Sequence, residues 1–167
     1  TNLNWQLIAD KDSKLKQLSD LSDKIVAMTR FSGTDLLTDM AVKKAKPKYQ
    51  VFRVQVNDVL VRLAMLQNHE IDAYWFAEPQ ITKALSADNN SLFNSEDAGV
   101  HLGVVAIMDK VRRQDEEAAF AAAYDKAVEQ INKNGVKYYS ALIQKYMKVD
   151  ESVVRALPDI KYTKIGP

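Results

Sequence analysis

Between residues 20 and 85, short apolar runs alternate with amphipathic stretches, and polar clusters separate them. Residues 24–29 read as a buried strand, and Ser32-Gly33-Thr34-Asp35 then opens a helix. Residues 51–56 read as the next strand, with Asn57-Asp58 opening the next helix. Residues 71–76 read as a third strand, with Glu78-Pro79 at the start of a third helix. A strand–helix repeat of this kind predicts an α/β lobe with a central, mostly parallel sheet in three layers. Its helix N-termini gather at the carboxyl edge of the sheet, where such folds bind small ligands.

The pattern predicts a strand at Trp5–Ala9, a polar connection over 10–19, a loop over 87–90 and a short strand over 91–94. Residues 101–108 are apolar after His101 and predict a strand buried on both faces. The chain changes character at Asp109. A long helix is expected over Gln114–Asn134, with Phe120, Tyr124, Ala127, Val128 and Ile131 on one face. Its first turn carries Asp115, Glu116 and Glu117, matched to the helix dipole, and Gly135 suits the left-handed position past its end. A second helix is expected over 136–147, with Val136, Tyr139, Leu142, Ile143 and Tyr146 aligned. Asp150 is a candidate N-cap for a third, ending near Leu157-Pro158.

Composition narrows the function classes. The 167 residues are 47% hydrophobic with a formal net charge of +1, an ordinary balance for a chain that buries a core. The densest basic stretch, Lys43, Lys44, Lys46 and Lys48 around Pro47, reads as a solvated helix end, so no nucleic acid partner is expected. The absence of cysteine excludes disulfides, thiolate metal sites and cysteine nucleophiles. No apolar run reaches membrane-spanning length, and no secretion leader is legible at the first residues, so any targeting segment is expected upstream.

Candidate chemistry lies at the three helix starts. Ser32 and Asp35 match a capping box, and the N–H groups of Gly33 and Thr34 at the positive end of a helix offer an anion site. Arg30 follows the first strand and suits either a bidentate anion contact or a plain surface charge. Asn57 can add a polar group to the same rim. Glu78 is either an acidic cap or a carboxylate facing a ligand donor, with proline at the first helical position. Of Tyr74, Trp75 and Phe76, Trp75 is the candidate apolar wall. Arg53, inside a strand, fits an outward polar face. For catalysis the inventory is thin. His69 and His101 show no metal-ligand spacing, and no nucleophile elbow, P-loop or dinucleotide fingerprint occurs. The expectation is a non-enzyme with no cofactor and no metal.

The ordered motifs carry a resemblance. Residues 20–26 (Asp-Leu-Ser-Asp-Lys-Ile-Val), Ser32-Gly33-Thr34, residues 62–73 (Arg-Leu-Ala-Met-Leu-Gln-Asn-His-Glu-Ile-Asp-Ala) and Glu78-Pro79 resemble the solute-binding proteins of ABC transporters. The nearest group is the type that takes nitrate, sulfonate, taurine and thiamine precursors. Residues 114–124 resemble the family's helix returning into the first lobe, although Asp23 stands where the family usually has glycine and Gln114 where it often has proline. The resemblance implies a type II periplasmic-binding-protein fold. Residues 10–100 would form the second α/β lobe. Residues 1–9 and 101–167 would supply hinge strands and the C-terminal helices of the first lobe, whose N-terminal part is expected upstream of Trp5. The paired hinge strands would be 5–9 and 102–108.

The resemblance further implies a monomer that captures a small polar or anionic solute in an interlobe cleft and delivers it to a membrane permease. The location implied is periplasmic or extracytoplasmic, with a lipid anchor accommodated in an upstream segment. The implied site is Arg30, Ser32, Gly33, Thr34, Asn57, Trp75 and Glu78. The alternative on the same fold is the effector-binding domain of a LysR-type regulator. The fold's pyrimidine-synthase branch depends on a cysteine-rich segment, which zero cysteines disfavour.

Overall fold

The computed structural model describes residues 4–100, 102–103, 105–109 and 113–165. They divide into two compact units, one within Asn4–His101 and the other within Leu102–Pro167.

The first unit is a five-stranded sheet covered by helices on both faces. In chain order it comprises β1 (Trp5–Ala9), β2 (Ile25–Met28), α1 (Gly33–Ala45), β3 (Phe52–Gln55), α2 (Val59–Gln67), β4 (Ala73–Ala77), α3 (Gln80–Leu85) and β5 (Asn90–Asn94). The strands lie in the order β3-β2-β4-β1-β5. β2 pairs in parallel with β3 and β4, whereas β1 runs antiparallel to β4 and β5, so four of the five strands point the same way. β4 lies deep in the sheet, and its Ala73, Tyr74, Trp75 and Phe76 are all fully buried. One face packs Tyr74, Phe76 and Ile8 against Leu63 and Leu66 of α2 and Ile81 and Ala84 of α3. On the other face, Trp75 donates its indole N–H to Thr38 of α1 at 2.8 Å and meets Phe93 of β5 edge-on at 6.0 Å.

α1 forms where the Ser32 hydroxyl caps the Thr34 amide at 3.1 Å. Its buried residues Thr34, Leu37, Thr38 and Ala41 recur at helical spacing. It ends at Lys46, in left-handed conformation, with Lys43 and Lys44 in the last turn where cations suit the dipole.

In the second unit, α4 (Gln114–Asn134) is followed by a 3-10 turn at Val136–Tyr139, α5 (Ser140–Met147) and α6 (Glu151–Ala156). Val149, Val153, Val154 and Leu157 form a small core with Val136 and Ile143 against it. Asn132 holds the following tail to α4 by bonds in both directions with the Tyr162 backbone, at 2.8 and 2.9 Å.

Several expectations need correction. Residues 102, 103 and 105–108 form no strand, and Val105 and Met108 are 51% and 60% exposed; His101 and Val104 lie outside the described residues. An apolar run specifies a strand only where a ladder partner exists, and both edges of β1 are taken by β4 and β5. β1 is therefore an inner strand of the first unit, with both of its ladder edges filled by β4 and β5. The helix expected over 136–147 starts with a 3-10 turn, and Leu142 and Tyr146 on its expected apolar face are exposed. On α4, Val128 is buried, but Phe120 and Ala127 of the expected face are exposed. Gly135 has the positive φ expected of glycine, 80°, but its ψ of 150° makes it extended rather than left-handed helical. Asp150 occupies the N-cap position of α6, yet its side chain caps nothing.

Candidate functional site

The parallel trio β3-β2-β4 brings the three helix starts together. Ser32 follows β2, Asn57 follows β3 and Glu78 follows β4, so all three leave the carboxyl edge of neighbouring strands. Strand spacing places the outer two within roughly 10 Å across the sheet direction. α1 and α2 leave β2 and β3 on opposite faces, the arrangement that opens a crevice at the strand ends.

At the α1 start, much of the polar capacity is internal. The Ser32 hydroxyl donates to Thr29 O at 2.7 Å while it caps Thr34. The Thr34 hydroxyl accepts the Thr29 amide at 3.0 Å, and Thr34 is buried. Asp35 departs from the expected capping box, because its carboxylate accepts the Phe31 N–H at 2.9 Å, one residue before the cap. That bond, with the Arg53 and Arg30 guanidinium groups, holds its carboxyl below the ordinary range against the opposing effect of burial. Arg53 therefore does more than face outward: it pairs with Asp35 at 3.0 Å and with Asp39 at 2.6 Å. Among the described residues the Gly33 N–H makes no hydrogen bond, which leaves it directed past the helix start. Arg30 is half-exposed, 3.6 Å from Asp35.

At the α2 start the cap is Asp58, which accepts the Leu60 and Val61 amides at 2.7 and 3.2 Å. Asn57 is exposed beside it. At the third start, one carboxylate oxygen of Glu78 accepts both the amide and the hydroxyl of Thr82, at 3.1 and 2.8 Å. The Glu78–Pro79 peptide is cis, and Pro79 sits one position before the helix rather than at its first residue. Trp75 is not a pocket wall. It is wholly buried with its indole N–H bonded to Thr38, because its position on β4 faces the body of α1.

Two features of this end of the lobe escape the sequence reading. Phe31 is 94% exposed at positive φ in the turn before the α1 cap, with the Arg30 guanidinium 5.4 Å above its ring. Its signal was a large aromatic in an otherwise polar turn. Arg62, in the first turn and a half of α2, is buried, and its Nε and Nη1 have no hydrogen-bond partner. Burial pushes its pKa down, and Asp58 partly counters this. A lone cation inside the apolar run 59–66 was its signal. A groove of about 780 Å³ lies between the α1 end and edge strand β3; of the candidate residues only Arg30 lines it.

The fold of the chain is that of type II periplasmic binding proteins. The periplasmic aliphatic sulphonate binding protein SsuA from Escherichia coli aligns over 90% of this chain and 50% of its own, with TM-score 0.69 and 18% identity. A putative sulfonate ABC transporter periplasmic protein, SsuA from Methylobacillus flagellatus, aligns over 93% and 48%, with TM-score 0.62 and 22% identity. The zinc-bound ligand-binding component of an ABC-type import system from Staphylococcus aureus aligns over 96% and 57%, with TM-score 0.71 and 19% identity. The chain thus spans about half the length of these structures. No protein-family profile matches the sequence, and no curated protein matches it significantly. Among the described residues no helix is long and apolar enough to cross a membrane.

Proposed function

We propose that the chain is the solute-binding part of an ABC importer and captures a small anionic solute outside the cytoplasmic membrane for delivery to a permease. The carrying observation is the convergence of three helix starts on one carboxyl edge, with the unbonded Gly33 amide among them. The similarity to importer binding proteins supports the reading.

In this reading Gly33, Ser32 and Thr34 present the positive end of α1 to the anionic group. Arg30 adds charge, and Asn57 and the free oxygen of Glu78 orient the remainder of the solute. Phe31 supplies the exposed apolar surface that Trp75 does not. Arg62 favours an anion over an amine, because a buried guanidinium with unpaired donors is stabilised by negative charge. No step is catalytic. The site binds, orients and releases.

The test is amide NMR of the chain titrated with ethanesulfonate, nitrate and arginine. Saturable shifts of Gly33 and Thr34 with at least one of the two anions, and loss of that response in Gly33→Pro, are expected. Shifts confined to residues away from 30–34, 57 and 78, or no saturable response to any of the three, overturn the reading.

A further inference from the structure

At the opposite, amino edge of the sheet, the fold assembles a cluster that sequence spacing does not reveal. Asp10 leaves the end of β1, Asp12 lies in the following 3-10 turn, and His69 leaves the end of α2. The Asp10 amide bonds Asp72 O at the start of β4, and Lys24 ahead of β2 pairs with Asp72 at 3.0 Å. His69 Nδ1 is 2.9 Å from each Asp10 carboxylate oxygen and 3.3 Å from Asp12 Oδ2. We propose that Asp10, Asp12 and His69 form a binding site for a divalent transition-metal cation of the zinc type.

The spacing fits shared coordination. Ligands about 2.1 Å from one ion stand roughly 3.0 Å apart at right angles and roughly 3.4 Å apart at the tetrahedral angle. The three donor atoms lie within 4.8 Å of one another, so closure needs only a rotation of the exposed Asp12 side chain. One N–H bond has one direction and serves one carboxylate well, whereas a cation serves both. Asp10 is preorganised: its side chain is buried and Oδ1 accepts the Asp12 amide at 2.8 Å.

Two observations beyond the cluster point the same way. A pocket of about 310 Å³ opens on it, lined also by Ser13, Lys24, Glu70 and Asp72. Four carboxylates there face one ammonium, which Asp72 already engages. The Tyr74 hydroxyl, wholly buried, makes no full hydrogen bond, although the Ile71 backbone lies near it. Asp10, Glu70 and Asp72, three of the pocket's carboxylates, are within electrostatic reach of that hydroxyl. One imidazole with two carboxylates selects zinc, cobalt or nickel over magnesium and calcium.

The experiment is calorimetric titration of the chelator-stripped chain with zinc chloride and, separately, magnesium chloride, with thermal unfolding followed in parallel. One equivalent of zinc is expected to bind and raise the unfolding temperature, with magnesium inert at the same concentrations. His69→Ala and Asp12→Ala, both at exposed side chains, are expected to weaken zinc binding at least tenfold and to remove the thermal shift while keeping the parent's circular dichroism. Absence of saturable zinc binding below millimolar concentration overturns the proposal. So does zinc binding that survives both substitutions, which would place the ion elsewhere, for instance on His101, or magnesium binding equal to zinc. The cluster and the solute lip lie at opposite sheet edges, so either assignment can fail without the other.

Discussion

Replacing Arg62 by methionine tests whether the lobe holds a charge that only a ligand can satisfy. Arg62 is 4% exposed, and its Nε and Nη1 have no partner. Each buried unsatisfied donor costs about 1–3 kcal/mol. Methionine keeps most of the apolar stem of the arginine side chain. What it forfeits is the attraction of Asp58, which is exposed and contributes under about 1 kcal/mol. The balance favours Arg62→Met by roughly 1–4 kcal/mol, the range seen when buried ionic groups give way to apolar ones. A chain of this size gains roughly 2–4 °C of melting temperature per kcal/mol. Both tryptophans, Trp5 and Trp75, belong to the first unit, so urea unfolding followed by tryptophan fluorescence isolates that unit. The variant should be more stable without ligand, and any stabilisation by ethanesulfonate, which the proposed anion site requires of the parent, should be smaller in it. A loss of more than about 1 kcal/mol in Arg62→Met would refute the reasoning, because the guanidinium would then be paired in solution and unavailable to a solute.

Thr38→Val removes the acceptor of the Trp75 indole N–H and should cost about 1–3 kcal/mol by the same fluorescence assay. In a cycle with Trp75→Phe the coupling should be near 1 kcal/mol, and near-additive losses would mean that the bond contributes nothing. The depressed pKa of Asp35 means that the folded state holds its proton less tightly than the unfolded chain, so its stabilisation is full above the ordinary value of 3.8 and is lost as pH falls through the lower folded value. Asp35→Asn should therefore flatten the acid limb of a urea-midpoint profile; an unchanged limb would assign acid sensitivity to other carboxylates. Gly135→Ala meets open space, yet its φ of 80° strains any side chain, so a loss of about 1–2 kcal/mol in the helical unit is expected, read by far-UV circular dichroism. Retention of parent stability would show that the α4 terminus relaxes freely.

Local signals made the first lobe legible. Apolar runs at 24–29, 51–56 and 71–76, each followed by a capping residue, placed β2, β3 and β4 within two residues and identified Ser32 as the α1 cap. The same signals could not say where the run at 102–108 belongs, because an apolar segment becomes a strand only through a partner edge. Nor could they assign Trp75. Alternation along β4 shows that it faces opposite to Tyr74, but which face carries α1 is a property of the topology. The α4 pattern was legible in extent, and less so in burial. Phe120 and Ala127 follow the helical period yet are exposed, since periodicity names a face without naming what covers it. Arg62 is the converse case. A cation on an apolar face breaks the pattern, and such breaks are expected at functional or strained sites.

The two ends of the sheet carry opposite chemistry for a reason rooted in strand direction. Helices that follow parallel strands start at the carboxyl edge, so their amide ends and Arg30 meet there. They end at the amino edge, where carbonyl ends accumulate and where β1, running the other way, delivers Asp10 and Asp12. Asp72 and His69, brought in by the α2–β4 turn, complete that edge. The proposed anion site at one end and the proposed cation site at the other are thus both compatible with one topology, each at the edge where the backbone field favours its charge. Reversal of β1 is what separates the two: were β1 parallel to β4, its exit would lie at the carboxyl edge, and Asp10 would oppose an anion held there as proposed by Arg30 and the α1 amides.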